Sequence, residues 1–190
     1  MANWCHNGVR FTGDPEKVAE AVAFMSDMRV RQEQDNNYEM PDYIDAKNKG
    51  MVEIYTKDDE VHFRSAWEPP LKALCQIADH YGIGYINKFE EPGMFVYGKV
   101  YYHEGELHGV RLKHADLENV NYDEDRHVFI YEGHEFDDDF TIIYGIFEKQ
   151  IADFEAAHPE MVPSKLKAQT NSIQPPEEEP EQQVKKGFKR

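Results

Sequence analysis

The sequence has few of the features that mark a membrane protein or a small secreted domain. Its 190 residues include two cysteines, Cys5 and Cys75, which is too few for the disulfide framework of such a secreted domain. No apolar run approaches the roughly 20 residues that span a bilayer. The first residues also lack the basic start and apolar stretch of a signal peptide. We therefore expect a cytoplasmic protein without membrane association.

Catalytic and cofactor-binding motifs are absent as well. No G-x-S-x-G, G-x-G-x-x-G or Walker pattern occurs. Glu90 and Glu91 are strand neighbours that point to opposite faces, so they cannot share a proton. The nine histidines follow none of the short spacings typical of zinc sites, and Cys75 lies on the apolar face of a predicted helix. We expect no catalytic residue, metal or cofactor, although whether the protein is an enzyme stays open.

Basic residues are scarce, and the acids are unevenly spread. The net charge is −16; residues 163–190 carry +2, which leaves −18 on the first 162 residues. Half of that excess lies in residues 104–139, which hold twelve acids and three basic residues. Such a surface repels phosphate backbones and favours a basic protein partner, so we expect no direct binding of nucleic acid. The alternative is a solvated acidic face that only maintains solubility. The candidate interaction surface consists of Glu104, Glu106, Asp116, Glu118, Asp123, Glu124, Asp125, Asp137, Asp138 and Asp139.

Hydrophobic periodicity predicts one α+β domain. The hydrophobic fraction of 40% and aromatic fraction of 13% suit a folded core. Alternation predicts strands, and i, i+3, i+4 spacing predicts helices. In chain order we predict a strand at 6–12, a helix at 15–28, strands at 51–56 and 61–67, a helix at 71–81 and a strand at 83–90. This β-α-β-β-α-β order is that of the ferredoxin-like fold, with two helices on one face of an antiparallel sheet.

Further elements extend that core after about residue 105. Strands at 94–103 and 107–114 form an added hairpin, a short strand covers 126–131, and a third helix covers 138–157. The polar stretch 29–50 is a long connection, interpreted as a mobile insertion; the alternative is that Tyr38, Met40, Tyr43 and Ile44 dock a short helix. Residues 161–190 lack periodicity and are expected to be a disordered tail, which leaves residues 1–160 as the domain.

Several short pieces resemble the YubB-like family of uncharacterised plasmid- and phage-borne proteins, which is named after its ferredoxin-like domain. The pieces are Asn3-Trp4-Cys5-x-Asn7, Gly13, Ser65-Ala66-Trp67-x-Pro69-Pro70 and Glu91-x-Gly93-x-Phe95-x-x-Gly98. The resemblance covers roughly residues 1–105 and implies a ferredoxin-like fold and a mobile-element origin. It implies no catalytic residue. A Trp-Gly-rich segment that many members have before the second strand is missing, and the polar 29–50 stretch stands there instead.

The recurring residues have two interpretations. They can be structural: an indole anchoring a helix start, asparagines bonding backbone at a strand edge, and glycines at turns. Alternatively they line a ligand pocket, whose candidate residues are Asn3, Trp4, Cys5, Asn7, Trp67 and Glu91.

Three functions follow from these observations. The first is a mobile-element accessory protein whose acidic surface binds a basic protein, for example to counter a host DNA-processing or defence enzyme by imitating the charge of DNA. The second is a small-ligand-binding protein or enzyme with a pocket near Trp4 and Trp67. The third is a structural assembly subunit. The oligomeric state is not predicted.

Overall fold

A computed structural model describes residues 3–36, 40–45 and 50–163. The strands are β1 Trp4–Thr12, β2 Val52–Lys57, β3 Glu60–Ala66, β4 Gly84–Glu91, β5 Val96–His103, β6 Glu106–Arg111, β7 Asn121–Asp123, β8 Val128–Tyr131 and β9 His134–Phe136. The α-helices are α1 Pro15–Asp35, α2 Leu71–Tyr81 and α3 Asp139–Ala157, and short 3₁₀ helices cover Pro92–Met94, His114–Leu117 and Pro159–Met161.

The main sheet has the order β2-β3-β1-β4-β5-β6, and every neighbouring pair in it is antiparallel. Its first four strands, with α1 and α2, form the ferredoxin-like core, and β5 and β6 extend the sheet beyond β4. The predicted α+β class, the βαββαβ core, the added hairpin and the third helix are therefore confirmed.

Local capping residues explain where the helices begin and end. The Asp14 carboxylate accepts hydrogen bonds from the first turn of α1, and Pro15 takes the first helical position. Gly82 ends α2 in the left-handed conformation, with φ 64°. The Asp138 carboxylate accepts a hydrogen bond from the Thr141 N–H at 2.8 Å and caps α3.

The polar stretch after Met28 differs from its prediction. Helix α1 continues to Asp35 and ends at Asn36 in the left-handed conformation, because Gln, Glu and Arg favour helix and no breaker intervenes. Ile44 is buried, and the Tyr43 ring stacks on His80 at 4.0 Å. Docking of these two residues thus agrees with the alternative interpretation, whereas Tyr38 lies outside the described residues.

Two hydrophobic clusters lie on opposite faces of the sheet. One lies between the sheet and helices α1 and α2. The other lies between α3 and the sheet half formed by β5 and β6, with the small sheet β7-β8-β9 alongside. In the part of the chain that the structure describes, the half formed by β2, β3 and β1 therefore keeps one face open. The predicted tail falls mainly on residues 164–190, which lie outside the described residues.

Candidate functional site: the open half of the sheet

Alternation along β1 divides its side chains between a buried and an open face. Cys5, Asn7 and Val9 point into the core under the helices. Trp4 and His6 point to the open face, where both are exposed. This follows from the two-residue period of a strand, in which neighbours point in opposite directions.

The six candidate pocket residues therefore do not line one pocket. Cys5, Asn7 and Glu91 are only 0%, 3% and 4% exposed, on the face that the helices cover. Trp4 and Trp67 are 39% and 45% exposed. The prediction grouped these residues by sequence motif, whereas the structure divides them between buried and exposed positions.

Asn7 belongs to a buried polar network that joins three strands. Its Nδ2 donates to the Cys5 carbonyl and to Ser65 Oγ, both at 3.0 Å, and its Oδ1 accepts from Asn87 Nδ2 at 3.2 Å. Ser65 Oγ donates to the Glu68 carbonyl at 2.8 Å. Burial, which the Ser65 hydrogen bond only partly offsets, raises the pKa of the Cys5 thiol to about 12. A neutral, enclosed thiol is a poor nucleophile, so these residues have a structural role.

The start of β1 is tied to the ends of β3 and β4. The Trp67 N–H donates to the Asn3 carbonyl at 2.9 Å, with Trp67 in the left-handed conformation at φ 70°. The Glu91 carboxylate accepts from the N–H groups of Gly93 and Met94 and caps the short helix there. A Cβ on Gly93 would lie 2.9 Å from Asn3 Nδ2 and from Glu91 Oε1, so the two side chains approach this glycine closely.

Large hydrophobic side chains are exposed at this same end of the sheet. In the described part of the chain eight such side chains are exposed, and four of them belong to segments that meet here. β1 begins here, and β3 and β4 end here. Helix α3 begins at the same end, because Tyr144 in its second turn donates a hydrogen bond to Glu90 near the end of β4. We call this set the docking end: Trp4, Trp67, Met94 and Phe140.

The structure separates the acids of residues 104–139. Glu104 and Glu106 lie at the β5–β6 turn, at the opposite end of the main sheet from the docking end. Hydrogen bonds from the Gln150 side chain and the Lys113 N–H hold the Asp116 carboxylate and lower its pKa. Glu118 follows the 3₁₀ helix His114–Leu117. The hairpin turn therefore separates Glu104 and Glu106 from the other acids of the candidate interaction surface.

The remaining six acids of the candidate interaction surface gather at one end of the small sheet. Asp123 pairs with Val128, and the pairing of Phe129 with Phe136 brings Asp137 to the same end of the sheet. We call these six residues the acidic rim: Asp123, Glu124, Asp125, Asp137, Asp138 and Asp139. Burial first, and then the charges of Glu90 and Asp139, raise the pKa of Tyr97. Asp139 directly precedes Phe140 at the start of α3, so the rim adjoins the docking end there.

A cleft of about 570 Å³ opens on the same face, between α3 and the β2–β3 edge. Gly8 forms part of its floor, and its walls include Tyr55 and His62, whose rings stack at 5.0 Å. Tyr144 of α3, hydrogen-bonded to Glu90, lines the opposite side. Sequence reasoning missed this cleft; the available signal was the alternation His6-x-Gly8-x-Arg10 beside His62-x-Arg64.

Among residues 3–36, 40–45 and 50–163, no three His, Cys, Asp or Glu side chains are grouped so as to hold a metal ion. None of the described helices has the length and apolar character needed to cross a membrane.

Comparison with known proteins identifies the family. Neither the curated proteins nor the solved structures contain a match to this chain. Residues 44–143 match the family described as the ferredoxin-like domain in Api92-like protein, a match that runs from before β2 into α3. Because the match covers more than half of the 190 residues, the chain belongs to the family of the ferredoxin-like domain in Api92-like proteins.

Proposed function

We propose that this protein acts by binding another protein at its docking end. The observation that carries the proposal is the gathering of Trp4, Trp67, Met94 and Phe140, each 39–52% exposed, at one end of the sheet. Contiguous exposed apolar surface on a soluble protein marks interaction sites, and aromatic and methionine side chains are enriched in interface cores. Because the Cys5 thiol is enclosed, it does not support the alternative that the protein is an enzyme with a catalytic site at the Trp4-Cys5 motif.

The charge beside the docking end favours a basic partner. The acidic rim attracts Lys and Arg side chains, and exposed indoles add cation–π contacts with them. The same rim opposes the phosphate backbone of a nucleic acid. It also opposes a second copy of this chain, because a two-fold contact would bring two acidic rims together.

The resemblance to plasmid- and phage-borne proteins extends the proposal. In this role the chain is an accessory protein of a mobile genetic element, and its partner is a basic host protein such as a DNA-processing or defence enzyme. An acidic protein that competes for the DNA-binding surface of such an enzyme would act by charge imitation.

The test compares two single substitutions of similar size and exposure. Met94→Ser removes an apolar side chain from the docking end, and Leu107→Ser, at the opposite end of the sheet, is the matched control; the two residues are 52% and 41% exposed. We expect the first to weaken binding of a captured partner about tenfold, or roughly 1.4 kcal/mol, and the control to leave it unchanged. If the two folded variants bind the partner equally well, the proposal that the partner binds at the docking end is wrong.

A further inference from the structure

The floor of the cleft has a hollow that basic side chains surround. Gly8 has no side chain, and its neighbours on the open face are His6 and Arg10 along β1. Across the strands, Gly8 pairs with His62 of β3 and Lys88 of β4. All four neighbours are basic, in a folded body whose net charge is strongly negative.

The arginines of this face retain hydrogen-bond donors without partners. Arg10 pairs with Glu60 through Nη2 at 3.2 Å, and Arg64 pairs with Glu53, also through Nη2. The Nε of each arginine is buried and has no acceptor among the described residues, so it is not open to a ligand. A guanidinium carries five N–H donors, and because 25% and 30% of the two side chains are exposed, a further oxygen would bind at the Nη groups.

The carboxylates of the cleft balance this charge, and one of them reaches the hollow over Gly8. Lys88 pairs with Glu148, and Glu60 lies 3.7 Å from His62 Nε2. One oxygen of Glu60 lies 3.3 Å from where a Cβ on Gly8 would stand, so the hollow already accepts an anionic oxygen. The Glu60 side chain is about a third exposed, and it can move aside for a ligand.

An aromatic surface adjoins the hollow. The Tyr55 ring stacks on His62 with an interplanar angle of 15° and is itself 50% exposed. Its outer face can therefore stack on a planar ring. Glu90 and Tyr144 on the other wall supply a carboxylate and a hydroxyl for polar groups of such a ring.

We propose that this cleft binds a small phosphorylated molecule with a planar heteroaromatic ring, of the nucleoside monophosphate type. The phosphate lies over Gly8, replaces Glu60 as the partner of Arg10 and His62, and competes with Glu148 for Lys88. Its three oxygens and charge of nearly −2 suit several donors better than a single carboxylate would. The ring stacks on Tyr55. The volume of about 570 Å³ lies within the usual range for small-molecule sites.

The test is isothermal titration of the full chain with adenosine monophosphate, adenosine and inorganic phosphate. We expect the monophosphate to bind most tightly, inorganic phosphate weakly and adenosine most weakly. Equal affinity for adenosine and its monophosphate would contradict the phosphate site. Equal affinity for inorganic phosphate and the monophosphate would contradict stacking on Tyr55.

Two substitutions that break the same ion pair give opposite predictions. Lys88→Gln removes a phosphate donor and should weaken monophosphate binding about tenfold, whereas Glu148→Gln removes a competitor for Lys88 and should strengthen it. Lys72→Gln, on α2 at the covered face, serves as a control and should change nothing. No binding by the wild type, or effects of the same sign from both ion-pair variants, would overturn the assignment.

Discussion

At the scale of single residues, Ser65 connects the buried polar network to the start of α2. Its hydroxyl accepts from Asn7 Nδ2 and donates to the Glu68 carbonyl, and Ser65 is 2% exposed. A buried donor that loses its acceptor costs its full desolvation energy. These hydrogen bonds give a structural explanation for the serine that begins the Ser-Ala-Trp-x-Pro-Pro motif.

Ser65→Ala should lower the free energy of unfolding by about 1–3 kcal/mol, because one Asn7 N–H is left unpaired in the core. Urea denaturation of the purified protein measures this. The matched control is Ser26→Ala on the exposed face of α1, whose hydroxyl donates only to its own helix. It should change stability by less than about 0.5 kcal/mol; equal losses in the two variants would refute the role of the network.

At the scale of elements, α3 is fixed across the added strands by one carboxylate. Glu155 accepts from Lys99 Nζ at 2.7 Å and from the Tyr101 hydroxyl at 2.5 Å. Burial raises the pKa of Glu155, but these two hydrogen bonds outweigh it and hold the pKa below its usual value of 4.5. The ionised carboxylate therefore stabilises the packing of α3 that borders the open half of the sheet.

Glu155→Gln should lower the free energy of unfolding by about 1–3 kcal/mol at pH 7. A lowered carboxyl pKa gives stability that is present above the unfolded value and is lost as pH falls through the folded value. The difference between wild type and variant should therefore shrink below about pH 4.5. Asp153→Asn, in an exposed pair with Lys149, is the control and should cost less than about 0.5 kcal/mol. A difference that does not vary with pH would contradict the role of ionised Glu155.

The elements also show what the sequence could predict. The third helix was predicted almost to the residue, because its apolar stripe is regular and Asp138 caps it. Strands β7 and β9 were missed because three residues are too short for an alternation to register. The length of α1 was underestimated because its last turns have polar, exposed side chains and so give no periodic signal.

The candidate site was predicted less completely than the fold. The sequence selected Trp4 and Trp67 as candidates, and the structure finds both exposed, but the sequence could not tell which of their neighbours share a face. The cleft depends on cross-strand pairing of Gly8 with His62 and Lys88. Residues so distant in sequence are brought together by strand order, and no local pattern encodes that order.

At the scale of the whole molecule, the directions of the strands determine at which end of the main sheet the acidic side chains lie. The hairpin acids Glu104 and Glu106 lie at one end of the main sheet, and the acidic rim adjoins the other. Exposed apolar side chains and acids therefore coincide at the docking end. Apolar contact should supply the binding energy there, while the rim selects and orients a basic partner and makes association sensitive to salt.

Site-specific photo-crosslinking tests the docking end most directly. A photoreactive phenylalanine analogue replaces Trp67 in one sample and Leu107, at the opposite end of the sheet, in another. We expect position 67 to crosslink a basic protein from host extract, with a yield that falls as salt rises from about 50 to 300 mM, and position 107 to give no such product. Crosslinking of the same partner at 107 but not at 67 would contradict the account.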